Sequence, residues 1–143
     1  GQLPTVLRKD IQTVWIHKGD KPFGGGNQNL LIHIIQGEKY ITDGILEETL
    51  VHEACHTSLD LDHGNAKGWR AAQKADDEFI STYAKDYPKR EDIAESFLTW
   101  LVVRHLSDRV SKSHVEKILK AIPNRIKYFD EQEFDMYPIV PRE

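Results

Sequence analysis

The chain has 143 residues, 39% of them hydrophobic and 29% charged, with a formal net charge of −4. That balance suits one folded domain over residues 1–143 with its own core, and excludes a disordered tail or linker. The acidic balance with no basic stripe argues against a nucleic-acid partner, and no apolar run is long enough to span a bilayer.

The chain opens Gly1-Gln2-Leu3 without a methionine, as a processed chain does. Residues 4–17 read as extended, most clearly at the β-branched and aromatic run Thr13-Val14-Trp15-Ile16-His17. Lys18-Gly19-Asp20-Lys21-Pro22 is a turn signal. Gly24-Gly25-Gly26-Asn27-Gln28-Asn29 reads as a loop. No Lys-Ser or Lys-Thr follows it and no helix opens there, so a phosphate cradle is a weak reading and a close-approach loop beside a cleft a better one. Leu30-Leu31-Ile32-His33-Ile34-Ile35 is apolar nearly throughout, which predicts a strand covered on both faces. Lys39-Tyr40-Ile41-Thr42 reads as a short further strand or a lead-in.

A helix is expected over 44–59, with start chemistry from Thr42, Asp43 and Gly44 and apolar residues at helical spacing. Inside it lies H-E-x-x-H, His52 to His56. Residues four apart share one helix face about 6 Å apart, so the two imidazoles can grip one metal ion. Glu53 leaves the helix about 100° round from His52, where it can act as general base on a zinc-activated water without competing for the metal. Two imidazole nitrogens suit Zn²⁺, which needs one more protein ligand and an open position to catalyse. Cys55, the only cysteine, points away from the shared face and reads as a core residue.

Residues 60–65 read as a loop. A metzincin would place glycine and a third histidine three and six residues after the second histidine; Leu59 and Asp62 stand there instead, so Asp62 is a poor ligand candidate and His63 a poorer one. A second helix is expected over 67–83 and a third over 88–106, with Pro88 in the first turn of the latter. The third is apolar nearly all round and therefore buried. Glu91 and Glu95 lie on one of its stripes, and two buried carboxylates there need a cation. Ser113-His114-Val115-Glu116 is a capping box for a fourth helix through Ile122, and 124–133 reads as a short fifth. His105 and His114 read as packing or surface residues, and the tail from Asp135 as irregular.

H-E-x-x-H followed by Glu91-Asp92-Ile93-Ala94-Glu95-Ser96-Phe97, an E-x-x-A-E-x-F pattern, resembles the zincin metallopeptidases of the gluzincin type, among them the anthrax lethal factor catalytic domain and the secreted Pro-Pro endopeptidases. The likeness runs roughly over residues 30–103. It implies an α+β zincin-like domain, a small mixed sheet followed by a mainly helical part. It implies one catalytic Zn²⁺ held by His52, His56 and Glu91, with Glu95 supporting a ligand histidine from behind. A tyrosine before the third ligand lines the family's site; Tyr83 stands eight residues before Glu91, and Tyr87 is the second candidate. The activity implied is hydrolysis of peptide bonds in a peptide or protein substrate, which would bind as an added strand along the edge offered by residues 30–35. A monomer and a secreted or cell-envelope bacterial setting go with that reading. A zinc-binding interaction module without turnover, and an amidase acting on a non-protein peptide, stay open beside it.

Overall fold

The computed structural model describes residues 2–142, and the chain forms a mixed α+β arrangement. In chain order it runs α1 (Thr5–Arg8), β1 (Thr13–His17), β2 (Gly24–Gly26), β3 (Asn29–His33), α2 (Ile34–Thr42), α3 (Leu46–Ser58), α4 (Asp60–His63), α5 (Lys67–Ala75), α6 (Thr82–Asp86), α7 (Asp92–His105), α8 (Lys112–Ala121) and α9 (Pro123–Asp130). The small sheet comes first and the helices follow. Among the described residues no helix is long and apolar enough to cross a membrane.

The sheet has the order β1-β3-β2. β1 runs parallel to β3, from Thr13 opposite Asn29 to His17 opposite His33; β2 runs antiparallel, with Gly25 opposite Leu30. Asn27 and Gln28 both take positive φ, +48° and +60°, which is the two-residue hairpin turn that matches strand twist. Two expectations fail here. The glycine stretch is a strand, because its partner β3 supplies the apolar surface that glycines lack. And β3 is central, so the edges of the sheet are β1 and β2, not the 30–35 run.

That run also ends sooner than expected. Ile34 and Ile35 open α2, whose first amides find the carbonyl of Gly19 (Ile35 N to Gly19 O, 3.0 Å), and the predicted strand at 39–42 is the end of the same helix. A short apolar run carries no period by which to tell the two structures apart. α2 closes at Gly44, φ +73°, with Ile45 N on Tyr40 O at 2.9 Å and Gly44 N on Ile41 O at 3.1 Å. This paired closure is a helix C-terminus, so Gly44 ends α2 rather than starting α3. Residues 5–8, expected extended, form the short α1, whose Val6 and Leu7 enter the core.

The core is built around α3 and α7. Leu7, Ala54, Cys55, Leu59, Phe97, Ile122 and Phe129 are wholly enclosed, and Trp69 nearly so. α3 lies against β2, α1 and α7, while α5 packs on α9. The helix expected over 67–83 is two helices, because Asp76 turns extended and buries its carboxylate on the first amides of α9, Asn124 N at 2.8 Å and Arg125 N at 3.1 Å. The 60–65 loop is mostly α4, α7 starts at Asp92 rather than 88, and α8 is capped by Ser111 Oγ on His114 N (3.2 Å), not by Ser113.

Candidate metal centre

His52 and His56 sit on α3 and Glu91 at the N-terminus of α7, and the packing of these two helices brings the three side chains together. His52 Nε2 and His56 Nε2 are 3.2 Å apart; Glu91 Oε2 is 3.2 Å from the first and 3.1 Å from the second. Glu91 is 2% exposed and so is a buried acid, not a solvated one in the first turn of a helix.

The far nitrogens decide the chemistry. His56 Nδ1 lies 2.8 Å from Asp60 Oδ2, and His52 Nδ1 lies 3.2 Å from Glu95 Oε1. An ionised carboxylate only accepts, so each Nδ1 carries a hydrogen and each ring, when neutral, turns its Nε2 lone pair toward Glu91. Three acceptors then face one another in a site largely shut from solvent. One proton can bridge one of these contacts, whereas a divalent cation answers all three. Tetrahedral ligands about 2.0–2.1 Å from an ion stand about 3.3 Å from one another, close to the observed spacing. His52, His56 and Glu91 could therefore hold a metal ion, and among the described residues no fourth histidine, cysteine or carboxylate joins the group. Three protein donors would leave a tetrahedral ion one position that the chain does not fill.

The surrounding charges follow from burial. Burial pushes the Glu53 carboxyl above its ordinary range and the charge of Glu91 adds to this, while the two histidines and a hydrogen bond from the Gly25 backbone pull the other way. For His56, burial lowers the pKa, but the hydrogen bond to Asp60 and the charges of Asp60, Glu91 and Glu53 outweigh it and leave it raised. Glu95 is held low by its hydrogen bond to His52, against burial and with help from Ser81. Tyr83 is raised by burial and by its hydrogen bond to Glu91. Its ring stacks over His52 at 6.4 Å between centroids, and Tyr87 packs edge-on behind it at 5.3 Å. Of the two candidate tyrosines, Tyr83 is the one against the His52, His56 and Glu91 group.

Asp62 pairs with Lys9 at 3.1 Å and His63 Nδ1 meets the Tyr128 hydroxyl at 2.7 Å, so neither belongs to the centre. Cys55 is fully buried, and burial lifts its thiol well above the usual range, leaving it inert. Three contributors escaped the sequence reading. Asp60 was legible as a carboxylate four residues after His56. Arg90, whose Nε lies 3.2 Å from Glu91 Oε1, adjoins Glu91 in sequence. Ser81 carries no sequence signal, since it reaches Glu95 only because the chain breaks at Asp76. Comparison of the chain with protein-family models, curated proteins and solved structures found no match.

Proposed function

We propose that this chain is a zinc-dependent peptidase with a zincin-like domain. The observation that carries the reading is the convergence of His52 Nε2, His56 Nε2 and Glu91 Oε2 within 3.2 Å of one another beside a carboxyl, Glu53, that burial makes more basic. Two imidazoles and one carboxylate at tetrahedral spacing suit Zn²⁺. When bound, Zn²⁺ supplies a Lewis acid that polarises the scissile carbonyl and acidifies water.

The chain's own groups do the rest. Glu53 removes the proton from the attacking water and returns it to the leaving amine, a role for which a raised carboxyl pKa is suited. The Gly25 amide, bonded to Glu53, orients that carboxylate. The Tyr83 hydroxyl donates to the oxygen of the tetrahedral intermediate, a contribution of about 3 kcal/mol in sites of this kind. Asp60 and Glu95 each hold one imidazole in the tautomer that presents Nε2. An extended peptide adds as a strand beside β2, an outer strand of the sheet that adjoins α3.

The test is a peptide-library digest followed by mass spectrometry, with zinc content measured on the same samples. Glu53→Gln should keep zinc and lose cleavage. Glu91→Ala should lose zinc, and Asp62→Ala should not. Cleavage retained by Glu53→Gln would remove the assigned base. A zinc-loaded parent protein that cleaves no peptide would favour a binding module or an amidase.

A further inference from the structure

One residue beyond Glu91 lies a buried ionic cluster that the chemistry above does not use. The side chains of Arg125, Asp76 and Asp92 are all fully enclosed. Arg125 Nε donates to Asp92 Oδ2 at 2.9 Å, and its Nη1 donates to Asp76 Oδ2 at 3.0 Å and to the Glu78 carbonyl at 3.1 Å. Its guanidinium lies 4.7 Å over the Phe79 ring. Gln73 Nε2 joins the cluster, donating to Asp92 Oδ2 at 2.7 Å and to the Pro88 carbonyl at 2.8 Å.

Stability does not explain this cluster. Two carboxylates share one guanidinium, and Arg125 Nη2 is buried without a hydrogen-bond partner. Apolar side chains of similar volume commonly do as well or better in such a place. What apolar residues lack is direction. The cluster fastens two segments that carry the metal centre. Asp92 and the Pro88 carbonyl bracket Glu91. Glu78 and Phe79 lead into Ser81, which bonds Glu95 and caps α6, the helix that bears Tyr83.

We propose that Arg125, through Asp92 and the 76–81 segment, is a positioning residue that sets Glu91 and Glu95 at the histidines. This rests on the metal-centre reading above. Burying an unsatisfied donor and a surplus negative charge secures the placement of a ligand carboxylate, which a ligand group on the first turn of a helix would otherwise lose to fraying.

The experiment measures zinc affinity by competition with a chelating indicator, alongside the melting temperature of the metal-free protein. Gln73→Leu is only partly buried and should fold; Arg125→Lys keeps the charge and loses the fork; a triple variant, Arg125→Met with Asp76→Asn and Asp92→Asn, removes the charges together. Each should weaken zinc by about 10-fold or more, as supporting residues of metal ligands do. The triple variant should recover melting temperature relative to Arg125→Lys without recovering affinity. Variants that melt lower yet bind zinc as the parent does would overturn the positioning role and leave the metal reading standing. A parent protein that binds no zinc would overturn both.

Discussion

Gly25 tests how tightly the sheet and the motif helix are joined. A Cβ built there would lie 2.6 Å from the carbonyl carbon of Glu53 and nearer still to its oxygen, with the Glu53 Cα at 2.9 Å. These are backbone atoms of a packed helix, so the strand must give way. Restoring ordinary contact takes a retreat of about 1 Å or more. That retreat stretches the bond from Gly26 N to Thr57 Oγ1, now 2.9 Å, and withdraws the Gly25 amide from the Glu53 carboxylate. Overpacking of this kind costs about 1–3 kcal/mol, and the lost hydrogen bond about 1 kcal/mol. For a chain of this size Gly25→Ala should lower the melting temperature by roughly 5–12 °C. Catalysis should suffer more, because a misplacement of about 1 Å can cost 100-fold. Calorimetry and turnover on the same preparation would check both. Parent-like melting and turnover in Gly25→Ala would show that β2 does not bear on Glu53 as described.

Three further outcomes are expected. Zinc at about 100 times its Kd should stabilise the fold by about 2.7 kcal/mol, a rise of roughly 6–10 °C that a chelator reverses; scanning fluorimetry with and without chelator reads this, and an unmoved transition would count against the centre. Asp60→Ala should weaken zinc by about 10–100-fold while leaving Glu95 on His52, and an indicator titration showing no change would detach Asp60 from ligand orientation. Asp130 accepts hydrogen bonds from Arg104 at 2.7 and 2.9 Å and from Trp100, and the Arg104 bond holds its carboxyl below the usual range. A depressed carboxyl stabilises the fold above its unfolded value of about 3.9 and loses that contribution as pH falls. Asp130→Asn should therefore flatten the acid limb of an unfolding-versus-pH curve, by under about 1 kcal/mol since both partners face solvent.

What could be read in advance follows from which interactions are local. The H-E-x-x-H face is fixed by helical spacing alone, so the pairing of His52 with His56 needs no tertiary knowledge. Glu91 and Glu95 were legible because α7 is apolar around most of its circumference, which makes an acid on it conspicuous. The edge of the sheet was not legible: Gly24–Gly26 has no strand propensity and becomes a strand only because β3 lies beside it. The start of α2 was hidden for a related reason, since Ile34 and Ile35 continue the apolar run of β3 while their amides turn to Gly19. The break at Asp76 and the cap from Ser111 depend on α9 and on a choice between two serines, and local pattern carries neither.

The strand beside the centre is three glycines long and has no side chains to offer. A peptide laid along such a rail meets only backbone, chiefly carbonyls because the Gly25 and Gly26 amides already donate to Glu53 and Thr57, and every peptide can match those equally. Under the proposed activity the rail therefore grips without choosing. Selectivity is left to the groups around His52 and Glu91, where the rings of Tyr83 and Tyr87 stand half open to water and the Arg90 side chain is largely exposed, and exchanging those three residues is the route to a different cleavage preference.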